Sequence, residues 1–124
     1  MNKVKLVIWN RSFELPVAFD CYDDEKILDA QYEALDKFCT NEMAIAEAKS
    51  DVERYCIQLN GKEIGTNIDN IFKYVMPSSL YIRRTDSTDR FVGLVCKYRF
   101  DPEDGLVVLF KNEALFEIGT SDIL

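Results

Sequence analysis

An α+β fold with an antiparallel sheet follows from the order in which hydrophobic periodicities occur along the chain. Two stretches repeat at every second residue, two or three then repeat at helical spacing, and four more return to period two. Strands and helices fall in separate runs, which indicates helices packed on one face of an antiparallel sheet and not alternating β-α-β units. Size agrees with this. The 124 residues, 48% hydrophobic and 12% aromatic, fit one domain over residues 1–124 with a packed core, and no linker, repeat or low-complexity stretch divides them.

Residues 3–9 alternate, with Val4, Leu6 and Ile8 on one side and Lys3 and Lys5 on the other. Asn10-Arg11-Ser12 supplies turn-forming residues, and Leu15, Val17 and Phe19 alternate again, so the chain opens with a hairpin. Pro16 has no N–H, which predicts that the second strand lies at an edge or turns that nitrogen to solvent. After Asp23-Asp24 the period changes. Leu28, Tyr32, Leu35 and Cys39 form a helical stripe widened by Ile27, Ala34 and Phe38, with Asp24 as N-cap and Glu25 near the positive end of the dipole. A second helix is predicted from Glu42, with Ile45, Ala48, Val52, Tyr55 and Cys56 on one face and Asn60-Gly61 at its end. Thr66 and Asp69 signal a short third helix over 67–75 that Pro77 stops. The remainder reads as strands 80–84, 91–100, 106–110 and 114–118, with turns at Asp101-Pro102-Glu103-Asp104-Gly105 and Lys111-Asn112-Glu113. The predicted sheet is an N-terminal hairpin plus a C-terminal meander, covered on one face by two to three helices.

Charge and composition narrow the function. Fifteen Lys and Arg against 22 Asp and Glu give a net charge of −7, which weighs against nucleic acid or an anionic membrane as partner. The chain contains no histidine, so Ser-His-Asp and Cys-His catalysis and the commonest metal ligand are absent together. The four cysteines (Cys21, Cys39, Cys56, Cys96) form no CxxC pair, and three of them fall on apolar faces, where a thiol behaves as a small buried hydrophobe. Reduced cysteines, together with apolar runs too short for a signal peptide or a bilayer span, predict a cytoplasmic protein. Gly61-Lys62-Glu63-Ile64-Gly65-Thr66 has the letters of a phosphate loop but neither its spacing nor its preceding strand. Carboxylates are the remaining chemical resource. Asp101, Glu103 and Asp104 crowd one turn and Asp86 and Asp89 another, yet neither has the alternating pattern of a calcium loop. No catalytic residue, metal ligand set or cofactor is assigned.

The last third of the chain carries a family resemblance. Tyr81-Ile82-Arg83-Arg84, Val92-Gly93-Leu94, Phe100-Asp101-Pro102-Glu103-Asp104-Gly105-Leu106 and Phe116-Glu117-Ile118-Gly119 with Asp122 resemble a group of small bacterial domains of unknown function. In that group a strand ends in a D-P-E-H-G-like turn, and the next hairpin ends in a V/I-G-x-x-D segment. The resemblance extends upstream to the helix containing Gln31. Asp104 stands where the turn usually has histidine, so no histidine-dependent role carries over. The resemblance implies an accessory, partner-binding domain of the immunity type and brings no catalytic residue.

These observations predict a non-enzymatic bacterial interaction protein that meets a basic protein partner, such as a toxin neutralised by an immunity protein. The expected contacts are Asp23, Asp24, Asp101, Glu103 and Asp104, with Tyr81 and Trp9 as aromatic anchors. Trp9 serves only if no helix covers its face. The alternative is a small carboxylate-based divalent-cation-binding domain or enzyme. The expected state is a monomer or a weak homo-oligomer formed through an exposed edge such as the Pro16 strand.

Overall fold

Strand β1 (Lys3–Ile8) puts Leu6 and Ile8 into the core, and β2 (Arg11–Phe19) folds back on it antiparallel, pairing Leu6 with Phe13 and Val4 with Leu15. The computed structural model describes residues 3–85 and 87–124. The turn consists of Trp9 and Asn10, with φ of 50° and 68°, a pair of left-handed residues that matches the twist of the two strands. A bulky side chain rarely adopts that conformation. Trp9 is held in it by burial to 6% exposure and by its indole N–H, which donates to the Ile45 carbonyl at 3.0 Å.

Two helices follow, α1 (Asp29–Thr40) and α2 (Glu42–Ile64). The start of α1 lies five residues beyond the expected Asp24 cap, and the reason is Gln31. Its side-chain carbonyl accepts the Leu28 N–H at 2.9 Å, so the helix is capped from within and needs no acid before it. Its amide group donates to the carbonyls of Asp20 at 3.0 Å and Ile82 at 3.3 Å. Gln31 is thus 2% exposed and fully bonded, and the buried row of α1 is Gln31, Ala34 and Phe38, while Tyr32 turns outward. Helix α2 buries Ala44, Ile45, Ala48, Val52 and Cys56, as its periodicity predicts. At Asn60 its backbone leaves helical geometry (φ −131°, ψ 39°), the interruption expected there, but one more turn follows and Gly65 (φ 95°) ends it. At this break the Asn60 side-chain Oδ1 accepts the buried Tyr98 hydroxyl at 2.6 Å.

The expected third helix is only a single 3₁₀ turn, Ile71–Lys73. Pro77 does not stop a helix; it lies inside β3 (Val75–Ile82), beside a register shift between Pro77 and Ser79 where the ladder to the next strand is irregular. Strands β4 (Phe91–Tyr98), β5 (Asp101–Lys111) and β6 (Ala114–Gly119) complete the meander. The β4–β5 turn is Arg99-Phe100, not 101–105. Tyr98 pairs with Asp101 and Cys96 with Leu106, so residues 102–105 bulge out of the strand. Gly105 makes this possible: it has φ 64°, and a Cβ there would lie 2.6 Å from the Cys96 carbonyl oxygen.

Hairpin and meander are one sheet, in the order β1-β2-β3-β4-β5-β6, larger than a hairpin beside a meander. Val17, Ala18 and Phe19 of β2 run parallel to Leu80, Tyr81 and Ile82 of β3; every other pairing among the described residues is antiparallel. Strand β2 is therefore internal, and Pro16 sits where its partner changes from β1 to β3. Leu80, Ile82, Leu94, Leu106 and Val108 meet Ile45, Val52 and Phe38 in one core. Each such side chain contributes about 1.5–3 kcal/mol when fully buried.

Two predictions follow from this packing. Gln31→Leu leaves the Leu28 N–H and the Asp20 carbonyl without their partner and takes from the Ile82 carbonyl one of its two donors, so unfolding free energy in urea should fall by about 2–4 kcal/mol. Unchanged stability would contradict the assigned role. Burial also pushes the Cys56 thiol up from 9.0 to about 11, with the Tyr98 hydroxyl partly opposing the shift. The folded state then holds this proton more tightly than the unfolded one, so the thiol's contribution is intact below pH 9.0 and is lost as pH rises toward 11. Denaturation midpoints measured on either side of that window should decline, and less steeply in Cys56→Ala.

Candidate functional site

The chain between β2 and α1 is an acidic loop, residues 20–28, at the end of the sheet where the parallel pair β2–β3 terminates. Its start is anchored by the Asp20 N–H, which donates to the Ile82 carbonyl at 2.9 Å, and by Gln31 on the Asp20 carbonyl. A tight turn comes next. The Glu25 N–H donates to the Tyr22 carbonyl at 2.9 Å and the Glu25 carboxylate accepts the Tyr22 N–H at 3.0 Å, which leaves Asp23 and Asp24 at the tip. Arg84, just beyond β3, closes the loop from below. Its guanidinium donates to the Lys26 carbonyl at 3.0 Å and pairs with Glu25 at 3.4 Å, and the Cys21 thiol donates to the Glu25 carbonyl at 3.2 Å.

The result is a loop with a tied backbone and free side chains. Asp23 and Asp24 are exposed, and Tyr22 is 79% exposed, the most open large hydrophobic side chain among the described residues. Tyr81 lies at the same end on the sheet face away from the helices. Burial and the neighbouring Asp20 carboxylate hold its hydroxyl proton above the ordinary value. Tyr32, half exposed, packs its ring 5.1 Å from Phe19 at the foot of the loop. An aromatic side chain flanked by carboxylates on an anchored backbone suits a protein surface that carries cations.

The structure therefore brings together three of the residues singled out in the sequence, Asp23, Asp24 and Tyr81, and separates the others. Asp101, Glu103 and Asp104 lie at the far end of the sheet, about 23 Å away along β3. Their segment is a bulged strand and not a free turn, and the Asp101 carboxylate is occupied by the Asp104 N–H at 3.2 Å. Trp9 is buried beneath α2 and belongs to the core, so it is unavailable as an anchor. Asp89 pairs with Lys111 at 3.8 Å and accepts the Asn112 side-chain amide, while Asp86 lies outside the described residues. Among the described residues, no group of three or more Cys, Asp or Glu is placed to hold a metal ion.

Sequence reasoning missed Tyr22. The signal was present, a tyrosine adjoining Asp23-Asp24 between a strand and a helix, but it became decisive only once Arg84 and Glu25 were seen to fix the backbone beneath it. The cysteines behave as expected. Cys56 and Cys96 are buried free thiols, and burial raises the pKa of both; Cys39, half-buried, is raised by desolvation and by Asp36. No helix among the described residues is long and apolar enough to cross a membrane.

The architecture and this surface define a small α+β domain with one helix-covered and one largely open sheet face. The chain belongs to the family described as a domain of unknown function, DUF6985, whose model matches residues 2–124. No curated protein and no solved structure matches it.

Arg84 is the testable element of this geometry. Arg84→Ala removes the Lys26 and Glu25 contacts, so backbone amides of residues 21–26 should exchange with deuterium at least several-fold faster while those of β4 and β5 keep their protection. Equal protection in the variant would show that the loop is held by something else.

Proposed function

We propose that this domain is a non-enzymatic interaction module that recognises a basic protein partner through the 20–25 loop. The observation that carries the reading is the fixed turn presenting Tyr22, Asp23 and Asp24 outward above Arg84. An ordered loop loses little conformational entropy on binding, so more of its contact energy appears as affinity. The net charge of −7 adds long-range attraction toward a cationic surface and speeds encounter. A bacterial immunity-type role, in which the partner is a basic toxin such as a nuclease domain, is the specific form of this proposal and is supported by the acid-aromatic chemistry of the loop. Asp101, Glu103 and Asp104 act at most as a second, separate contact, because their segment is a bulged strand and the Asp101 carboxylate is committed to the Asp104 N–H. The protein acts in the cytoplasm, as a monomer or a weak homo-oligomer, before it meets its partner.

The test is affinity capture of partners by the tagged protein from its native host at low salt, followed by measured affinities. Asp23→Lys with Asp24→Lys should weaken binding of the captured protein by 100-fold or more, chiefly through association rate, and Tyr22→Ala by about tenfold or more through dissociation. A captured partner that is acidic, or one that binds the Asp23→Lys, Asp24→Lys variant as well as the wild type, would sink the proposal.

A further inference from the structure

At the end of the sheet away from the acidic loop, β3 and β4 form a cleft of about 490 Å³. Its floor is the cross-strand pair Met76 and Lys97. Val75, Cys96 and Tyr98 beside them are core residues, so alternation turns this pair to the face opposite the helices. Lys73 and Tyr74 enter from the end of the 3₁₀ turn, and Arg99 and Pro102 from the β4–β5 turn and the bulge beside it. The Arg99 N–H donates to the Tyr74 carbonyl at 2.8 Å and ties these segments together. Phe100 backs the half-buried Tyr74, their rings stacked with centroids 5.8 Å apart. The cleft is therefore formed by anchored backbone and a supported ring.

Its charge runs against that of the chain. Three cations line it and no carboxylate does, although acids outnumber bases 22 to 15. Four other clefts, of about 250–480 Å³, each have at least one carboxylate in their walls. Lys73, Lys97 and Arg99 are exposed, and none is in an ion pair among the described residues. The acidic bulge contributes only Pro102, and its Asp101 carboxylate accepts the Asp104 N–H. Gathered like charges repel one another, and a bound anion relieves that cost. Arginine suits phosphate oxygens in particular, because its fork of N–H donors matches their geometry. The Tyr74 ring and the Met76 thioether add a flat apolar surface on which a second ring can stack. The volume falls within the roughly 300–1,000 Å³ of small-molecule sites. A polyanion is disfavoured, since beyond the cleft it would meet a chain carrying −7. We propose that this cleft binds a small aromatic anion of the class of nucleoside mono- and diphosphates. The ring lies on Tyr74 and Met76, and the phosphate sits among Lys73, Lys97 and Arg99. The site is about 23 Å from the acidic loop along β3 and does not depend on the role given to that loop.

The experiment titrates the full chain with ADP, using adenosine, inorganic phosphate and a polyglutamate peptide as comparisons. ADP should shift the amide resonances of Lys73, Tyr74, Met76 and Lys97 with a roughly millimolar or tighter Kd. Adenosine and phosphate, each carrying half of the recognised chemistry, should bind about tenfold or more weakly than ADP. Lys97→Glu with Arg99→Glu alters two exposed side chains, so the fold persists and ADP affinity should drop about tenfold or more. Tyr74→Leu removes the stacking ring and should weaken ADP while leaving phosphate unchanged. Should the charge-reversed variant unfold, the Tyr74→Leu comparison decides. Absence of shifts at about 10 mM ADP, or equal affinity in the charge-reversed variant, overturns the proposal. Polyglutamate binding as tightly as ADP overturns it too, since the ring would then contribute nothing. So do shifts of the same resonances that grow with protein concentration alone, which would make the cleft a contact between copies. Asp23→Lys with Asp24→Lys should leave ADP binding unchanged, so the loop and the cleft are tested separately.

Discussion

One side chain holds the joint on which this architecture turns. The only parallel pairing among the described residues is the short ladder of Val17–Phe19 with Leu80–Ile82, and it ends where α1 must begin. Carbonyls at such an end would be buried without partners, each at a cost of about 1–3 kcal/mol. Gln31 satisfies that of Asp20, gives that of Ile82 a second donor beside the Asp20 N–H, and caps its own helix with its oxygen. A glutamate could not donate to the carbonyls and a hydrophobe could not cap the helix. This is why a polar residue occupies the core row of α1, and why the chain can add the N-terminal hairpin to the meander as a continuous sheet.

That joint also marks where the sequence was least legible. Alternation and helical spacing identified β1, β2, both helices and the strands of the meander, because each buries a face defined by neighbours close in sequence. The parallel pairing of β2 with β3 depends on residues far apart and leaves no local periodic trace. The start of α1 was misplaced because Asp24 has the chemistry of a cap, whereas the actual cap is supplied by a residue inside the helix. The D-P-E-D-G segment has the composition of a turn, yet cross-strand pairing of Tyr98 with Asp101 takes precedence and leaves a bulge. Trp9 was read as part of the alternation, and instead occupies a left-handed turn position that only its indole hydrogen bond and burial justify.

The candidate surface was half legible for a related reason. Acidic residues announce themselves in composition, but which of 22 acids matter is a question of backbone anchorage. Asp23 and Asp24 sit on a turn fixed by Arg84 from a strand that is neighbouring only in space, whereas Asp101 turns its carboxylate inward to its own bulge. The same contrast separates Tyr22, exposed on a held loop, from Tyr98, buried with its hydroxyl committed to Asn60. Position in the fold decides between interaction and structure for residues of identical type.

The parallel pair has a consequence for how the molecule assembles. The hairpin, the two helices and the meander all close over short stretches of chain, and such contacts form early at little entropic cost. Val17 and Leu80 are partners across about sixty residues of intervening chain, so their ladder is the contact most delayed by loop closure. Gln31 bonds to both strands of that ladder and can complete its hydrogen bonds only when the two have met. Docking of the first hairpin is thus the step that converts two separately forming halves into one cooperative unit, and until it occurs the unpaired edge of β3 remains an open template for the wrong strand.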